Sequence, residues 1–168
     1  ILPLPHVPDF SKTNFKKNIL PKLQIDKNRA YLLSLNMIQK GDTINGIKFL
    51  KMAVDEGQDN AIYLYGRYCI EGQYVKKNIS LGISYIQKAA KSNNVEALAY
   101  LGDAYYLGLQ GFKKDSVESV RWYEKSAKRG FFNAQYRVGN FYFNANDTTS
   151  AVNYWQMLIN NKKAEKPK

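Results

Sequence analysis

The chain has 168 residues, and its 45% hydrophobic and 23% charged residues exclude a wholly disordered polypeptide. No apolar run approaches the roughly 20 residues that a membrane-spanning helix needs, which argues against a transmembrane segment. The net charge of +11 belongs mainly to the ends, because residues 1–29 carry +4 and residues 160–168 carry +3, which leaves +4 for residues 30–159. A surface that neutralises many phosphates would be more basic in its body.

Residues 1–28 are predicted to form an extended arm before the first helix. Prolines interrupt any helix there and favour extended backbone at the residues that precede them. These prolines are Pro3, Pro5, Pro8 and Pro21. The arm is too apolar for a simple solvated tail, so we expect it to pack along the first helical unit or in a groove of another molecule. Because the chain begins at Ile1 without an initiator Met, we expect a mature form or a trimmed chain.

From residue 29 to about residue 160 the apolar pattern is helical, and part of it repeats. In each copy an alanine is followed five residues later by a glycine. The pairs are Ala61–Gly66, Ala97–Gly102 and Ala134–Gly139, at steps of 36 and 37 residues. A period of this size predicts stacked supersecondary units. The predicted units are about 29–57, 60–93, 96–130 and 133–160, followed by a basic tail at 161–168.

The recurring glycines predict close contact between the two helices of each unit. A glycine inside a helix costs about 1 kcal/mol relative to alanine, a cost that is tolerable where only a hydrogen atom lets the partner helix approach. In the loops between paired helices, Asn78 and Asp115 are placed to cap the helix that follows. The first unit is the most degenerate, because Leu35 stands where later units have glycine.

The best-conforming segment resembles a Sel1-like repeat, a relative of the tetratricopeptide repeat. Its Ala, Gly, aromatic and loop positions agree at fixed offsets with that family. The matching stretches are Ala97-x-x-x-Leu101-Gly102-x-x-Tyr105-x-x-Gly108, Gly111-Phe112-Lys113-Lys114-Asp115 and Trp122-Tyr123-Glu124-Lys125-Ser126-Ala127-Lys128-Arg129-Gly130. The resemblance implies an all-α fold, a right-handed α-solenoid of about four antiparallel helix pairs.

The resemblance also implies a concave groove and the positions that face it. In this chain those positions are Asn36, Tyr63, Arg67, Asp103, Tyr106, Tyr136, Asn140 and Phe143. Their mixture of aromatic rings, amides and both charges suits a peptide better than a phosphate backbone. The function that follows is a non-catalytic adaptor or scaffold, which binds a partner protein or peptide as a subunit or assembly factor of a larger complex.

The sequence offers few residues suited to catalysis, and we predict no catalytic residue, metal site or cofactor. His6 is the single histidine and lies in the proline-containing arm, where a general base would have no fixed geometry. Cys69 falls on the packing side of its helix, which favours a buried, inert thiol over a nucleophile. The acidic residues are scattered singly, with no pair spaced for metal binding or acid–base chemistry.

The alternative function is RNA binding by a helical-repeat protein of an organelle. Two basic pairs lie one repeat apart and could contact an anionic partner: Lys76, Lys77, Lys113 and Lys114. The 23 aromatic residues, 13 of them Tyr, could stack on bases. Most recur at packing positions, so we predict core filling by Tyr65, Tyr85, Tyr105, Trp122 and Tyr142. The leading expectations for location are intracellular, the mitochondrial matrix or the cytosol, and the oligomeric state stays open.

Overall fold

A computed structural model describes residues 26–164 of the chain, with side chains as far as residue 160. Nearly all of the predicted arm, His6 included, and the side chains of the basic tail lie outside these residues. The described range contains eight α-helices and no strand. They are α1 (Lys27–Gln39), α2 (Thr43–Asp55), α3 (Asp59–Glu71), α4 (Ile79–Lys91), α5 (Val95–Leu107), α6 (Ser116–Ala127), α7 (Phe132–Asn144) and α8 (Thr148–Ala164).

The helices keep the period of the sequence repeat. The first helix of a pair begins at Asp59, Val95 and Phe132, so the steps are again 36 and 37 residues. This confirms the all-α helical-repeat fold expected from the sequence. None of the helices in the described range combines the length and the apolar character that crossing a lipid bilayer requires.

The chain divides into two compact units, Ile1–Ala61 and Ile62–Lys168. In the described part of the first unit, α1 packs against α2. Phe49 and Leu50 of α2 are fully buried, and Ala30 and Met37 contribute the buried face of α1. The short connection between the two helices makes them a helical hairpin.

In the second unit, each helix from α4 to α8 packs against the next one in sequence. Small and branched residues fill the spaces between them, with Ile86, Leu98 and Val138 fully buried. Around α6 and α7 the core is formed by Val120, Tyr123, Ala127, Ala134 and Val138. This is the repeated packing stripe that the sequence predicts.

The helical glycines lie at the closest helix contacts, as predicted. A Cβ on Gly102 would lie 2.7 Å from the ring of Tyr123 in α6, and a Cβ on Gly139 would collide with the indole of Trp155 in α8. A Cβ on Gly66 would lie 3.0 Å from the carbonyl oxygen of Gly82. Each glycine therefore admits the second helix of its own pair.

Caps and left-handed turn residues set the helix ends. The Asn78 side chain accepts from the Leu81 N–H at 3.0 Å, and Asp115 accepts from the amides of the first turn of α6, which confirms both predicted caps. The turn after α4 needs a left-handed residue, and Asn93 supplies it at φ 65°. Gly130 does the same after α6 at φ 90°.

Buried polar side chains join consecutive helices of the second unit. Ser119 Oγ donates to the Gly102 carbonyl at 2.8 Å, and Ser126 Oγ donates to the Val95 carbonyl at the same distance. Ser119 and Ser126 therefore bind α6 to α5 through the backbone. Both serines are buried, so each hydroxyl needs its carbonyl partner. The two hydrogen bonds therefore fix how α6 is placed on α5, in addition to the apolar packing.

The aromatic residues predicted to fill the core are buried to different depths. Tyr65 is buried and meets Tyr85 edge to face at 5.3 Å between centroids. In α6, Trp122 is half-buried, whereas Tyr123, which is not among the predicted core residues, is 4% exposed. The cause is the position of Gly102, which receives the Tyr123 ring.

Candidate functional site

A groove of about 880 Å³ lies within the second unit. Its walls are faces of α5 and α7, with Tyr63 of α3 at one edge and the first two turns of α6 at its floor. Its aromatic lining residues are Tyr63, Tyr100, Tyr106, Tyr123, Phe131, Tyr136 and Phe141. Asparagine side chains on α7 add amide groups, so the lining is both apolar and rich in hydrogen-bonding capacity.

Helical spacing explains why α5 and α7 face the groove as they do. On α5 the residues Glu96, Tyr100 and Asp103 are four and three positions apart, so they share one face of the helix. On α7 the same spacing brings Asn133, Arg137 and Asn140 to one face. The opposite faces of both helices carry the small residues that pack in the core.

Tyr123 joins the two walls at the floor of the groove. Its hydroxyl donates to Asp103 Oδ1 at 2.6 Å, and Arg137 Nη2 lies 3.2 Å from the same oxygen. The Arg137 guanidinium also lies 5.3 Å from the centroid of the Tyr123 ring. Asp103 is therefore held by one residue from α6 and one from α7.

The same contacts fix the protonation state of Tyr123. Burial raises the pKa of its hydroxyl well above the ordinary value, and the hydrogen bond to the Asp103 carboxylate raises it further. The hydroxyl therefore stays protonated even at about pH 10, where a free tyrosine ionises, and remains a donor to Asp103. A fixed donor keeps the carboxylate in one orientation.

At the α3 edge, Tyr63 and Arg67 lie one helical turn apart. Arg67 Nε donates to Glu71 Oε1 at 3.0 Å, so its charge is balanced within its own helix. The pKa of Tyr63 is raised by burial, and the nearby Arg67 opposes that rise while the Glu96 carboxylate adds to it. Arg67 and Glu96 are therefore close enough to act on the Tyr63 hydroxyl.

Tyr100 lies between this edge and the floor. Burial raises its pKa, and the electrostatic interaction with Tyr63 adds to the rise. Glu96 lies one turn before it on α5, is half-buried, and forms no ion pair within the part of the chain that the structure describes. Tyr63, Glu96 and Tyr100 all line the groove, with Glu96 and Tyr100 on one face of α5, and we call these three residues the corner of the groove.

The structure brings together five of the eight residues that the sequence assigns to the groove: Tyr63, Asp103, Tyr106, Tyr136 and Asn140. Tyr106 is 46% exposed and Tyr136 is 54% exposed, so both rings are accessible.

The other three predicted residues lie elsewhere. Arg67 lies beside Tyr63 but does not line the groove, and Phe143 is exposed against the Trp155 ring at 5.6 Å between centroids. Asn36 is half-buried on α1, in the first unit.

Sequence reasoning missed several lining residues, most importantly Glu96, Tyr100, Tyr123 and Arg137. Glu96 and Tyr100 could have been found, because they precede Asp103 on the same helical face. Tyr123 could not, since it reaches the groove from α6 and its depth depends on how α6 packs on α5.

The charge of the groove differs from that of the chain. Its charged lining residues are Glu96, Asp103 and Arg137, and no lysine is among them. The two lysine pairs predicted to contact anions are exposed and lie in the loops between α3 and α4 and between α5 and α6. A chain of net charge +11 therefore presents a groove with one more carboxylate than cation.

The described residues hold little that could support catalysis. Cys69 is 2% exposed, as the sequence predicts for a packed thiol. Between residues 26 and 160, no three His, Cys, Asp or Glu side chains cluster closely enough to hold a metal ion. What the arrangement can do is bind: it offers ring faces, tyrosine hydroxyls, amides and one carboxylate that has no ion-pair partner.

A family model described as Sel1 repeat matches residues 59–94, 95–131 and 133–161. The chain is also similar to a solved Sel1 repeat protein from Oxalobacter formigenes, at 27% identity and a TM-score of 0.70, over 82% of this chain and 59% of that one. A second similar structure is c5321, a protective antigen of uropathogenic Escherichia coli with an SLR fold, at 22% identity and a TM-score of 0.66. That match covers 80% of this chain and 30% of that one, so the chain spans less than two thirds of either protein.

Proposed function

Since the chain belongs to the Sel1 repeat family, we propose that it is an adaptor or scaffold that binds a segment of a partner protein in the groove lined by α3, α5, α6 and α7. Sel1 repeat proteins generally mediate protein–protein interactions, and the family is typically non-catalytic. The role proposed for this chain within that class is that of a subunit or assembly factor of a larger complex.

The observation that carries the proposal is the lining of the groove. Tyrosine rings give large contact area at low cost in side-chain entropy, and their hydroxyls pair with polar groups. Tyr106 and Tyr136 are about half exposed on opposite walls, on α5 and α7. Asn140, one turn after Tyr136 on α7, offers an amide that can both donate to and accept from a peptide backbone.

The groove is less suited to nucleic acid. A groove that follows a phosphate backbone carries several lysines or arginines, each neutralising a phosphate. Here the one arginine, Arg137, already pairs with Asp103. A peptide segment, which is neutral along its backbone, fits this charge distribution better.

Photo-crosslinking tests the proposal in the intact chain. A benzoylphenylalanine at Tyr106 should form an adduct with the partner protein, whereas the same group at Leu107 should not. Leu107 is the matched control because it is the next residue of α5, is 58% exposed and does not line the groove.

The affinity for the crosslinked partner completes the test. We expect Tyr106→Ala to weaken binding by about tenfold or more, as for an aromatic hot spot, and Leu107→Ala to change it by less than about twofold. Equal adducts from both positions, or an unchanged affinity for Tyr106→Ala, would contradict the groove as the binding site.

RNA binding remains the alternative, supported by two exposed lysine pairs in corresponding loops of consecutive repeats. It predicts an affinity that falls steeply with salt and is abolished by exchanging the four lysines for glutamate. Those residues are Lys76, Lys77, Lys113 and Lys114. Binding of a protein partner in the groove should survive the same four exchanges.

A further inference from the structure

The corner of the groove formed by Tyr63, Glu96 and Tyr100 has the composition of a site for a cation. We infer that the bound segment carries a lysine or arginine, whose charged group lies against the Glu96 carboxylate and the rings of Tyr63 and Tyr100. This inference rests on the proposed function and names the chemistry that the groove selects.

Glu96 is the carboxylate of the groove that is left for a ligand. Asp103 already accepts from Tyr123 at 2.6 Å and pairs with Arg137 at 3.2 Å. Glu96 forms no ion pair with any residue that the structure describes, although it is half-buried. A half-buried carboxylate gains more from a cation than an exposed one does, because water screens it less.

The two tyrosines favour a cation at the same point. The negative face of an aromatic ring attracts an ammonium or guanidinium group within about 6 Å of its centroid. Tyr63, Glu96 and Tyr100 all line the groove, and Glu96 and Tyr100 lie one turn apart on the same face of α5. Arg67 donates a hydrogen bond to the Tyr63 hydroxyl, and its charge is balanced by Glu71 rather than by Glu96.

The position of Glu96 in the first turn of α5 can also be explained without a ligand. The test must therefore distinguish cation binding by Glu96 from stabilisation of its own helix. Acidic residues there stabilise a helix through its dipole. Glu118 occupies the first turn of α6 in the same way, pairs with Arg121 at 3.3 Å and does not line the groove. Glu118→Gln is therefore the matched control for Glu96→Gln.

The probe is a random library of synthetic 12-residue peptides, screened on the purified full chain. We expect the bound peptides to share a lysine or arginine at one position. Replacing that residue with norleucine or citrulline should lower the affinity by about tenfold. Glu96→Gln should lower the affinity for the cationic peptide by a similar factor, and Glu118→Gln should leave it within about twofold.

The decisive comparison is between the cationic peptide and its neutral analogue on both proteins. The neutral analogue should bind Glu96→Gln and the unsubstituted chain equally. Removing the cation and removing the Glu96 carboxylate abolish the same ion pair, so the second change has nothing further to remove. If peptides bind in the groove but neutral and cationic forms bind alike, the inference is overturned and the proposed function stands. If Tyr106→Ala leaves the binding of every selected peptide unchanged, the groove is not the site, and both fail.

A second copy of the chain is the other cationic occupant to test, because its Lys-rich ends also carry positive charge. If the occupant is a partner protein and not a second copy, sedimentation at rising concentration should give a monomer for both the unsubstituted chain and Glu96→Gln. A dimer that dissociates on Glu96→Gln would overturn the assignment to a partner protein.

Discussion

Gly82 of α4 lies directly against the backbone of α3. A Cβ there would lie 2.6 Å from the carbonyl oxygen of Gly66 and 3.0 Å from the backbone nitrogen of Ile70. Backbone atoms cannot move aside as a flexible side chain can, so the helices must separate. We expect Gly82→Ala to lower the free energy of unfolding by about 2 kcal/mol, although alanine is the better helix former. Urea unfolding followed by circular dichroism measures the change.

The control for Gly82→Ala is Ser84→Ala, two residues later on the same helix and exposed. Its hydroxyl makes only a local bond to the Leu81 carbonyl, so we expect the free energy of unfolding to stay within about 0.5 kcal/mol. If both variants unfold at the same urea concentration, the close contact between α3 and α4 is not what requires a glycine at position 82.

At the residue scale, the sequence predicts which positions must be small but not which rings they receive. An alanine and a glycine at a fixed offset recur three times, and this pattern suffices to predict the close contacts of Gly102 and Gly139. It does not distinguish Trp122 from Tyr123, because both are large aromatic residues in the same turn. Only the rotation of α6 about its axis decides that Tyr123 meets Gly102 and Asp103.

At the scale of elements, α6 begins at a side-chain cap that accepts two hydrogen bonds. Asp115 Oδ1 accepts from the N–H groups of Val117 and Glu118, both at 2.9 Å. We expect Asp115→Ala to lower the free energy of unfolding by about 1 kcal/mol, since two amides at the helix start would lose their partner. Asp115→Asn retains an oxygen at the same place and should stay close to the unsubstituted chain. Thermal unfolding of the three proteins gives the order; a stable alanine variant would contradict it.

At the scale of helices, the sequence predicts features that depend on neighbouring residues, such as helix caps. The caps at Asn78 and Asp115 follow from residue type and position, and both are present. The start of α7 differs, since Phe131 has no polar side-chain atom and makes no side-chain cap there. The floor of the groove was not predicted either, because it depends on the angle between α5 and α6, and a helical face does not encode that angle.

Across the whole second unit, tyrosine hydroxyls link helices through carboxylates, and the repeat period does not predict these links. Tyr142 and Tyr154 donate to the same oxygen, Glu124 Oε1, at 2.8 Å and 3.1 Å, and their rings stack at 5.9 Å. The link therefore joins α6, α7 and α8. Tyr123 makes the corresponding link between α5 and α6 through Asp103.

From the raised pKa values of its tyrosines, we expect the protein to lose stability at alkaline pH. The pKa is raised in the folded protein for Tyr63, Tyr100, Tyr123, Tyr142 and Tyr154. An unfolded tyrosine releases its proton near pH 10, so above that pH the unfolded chain binds fewer protons than the folded one. The free energy of unfolding is then fully retained below about pH 10 and falls as the pH rises further.

Urea unfolding at pH 8, 9, 10 and 11 measures this fall. Deprotonation of lysines works in the opposite direction, because it relieves self-repulsion in a chain of net charge +11. The double variant Tyr142→Phe, Tyr154→Phe should be less stable at pH 8 but should lose less between pH 10 and pH 11. Tyr74→Phe, at an exposed ring that contacts Tyr68, should follow the unsubstituted chain. The unsubstituted chain, the double variant and Tyr74→Phe could instead lose equal free energy of unfolding between pH 10 and pH 11. The two hydroxyls bound to Glu124 would then not be the cause of the loss of stability.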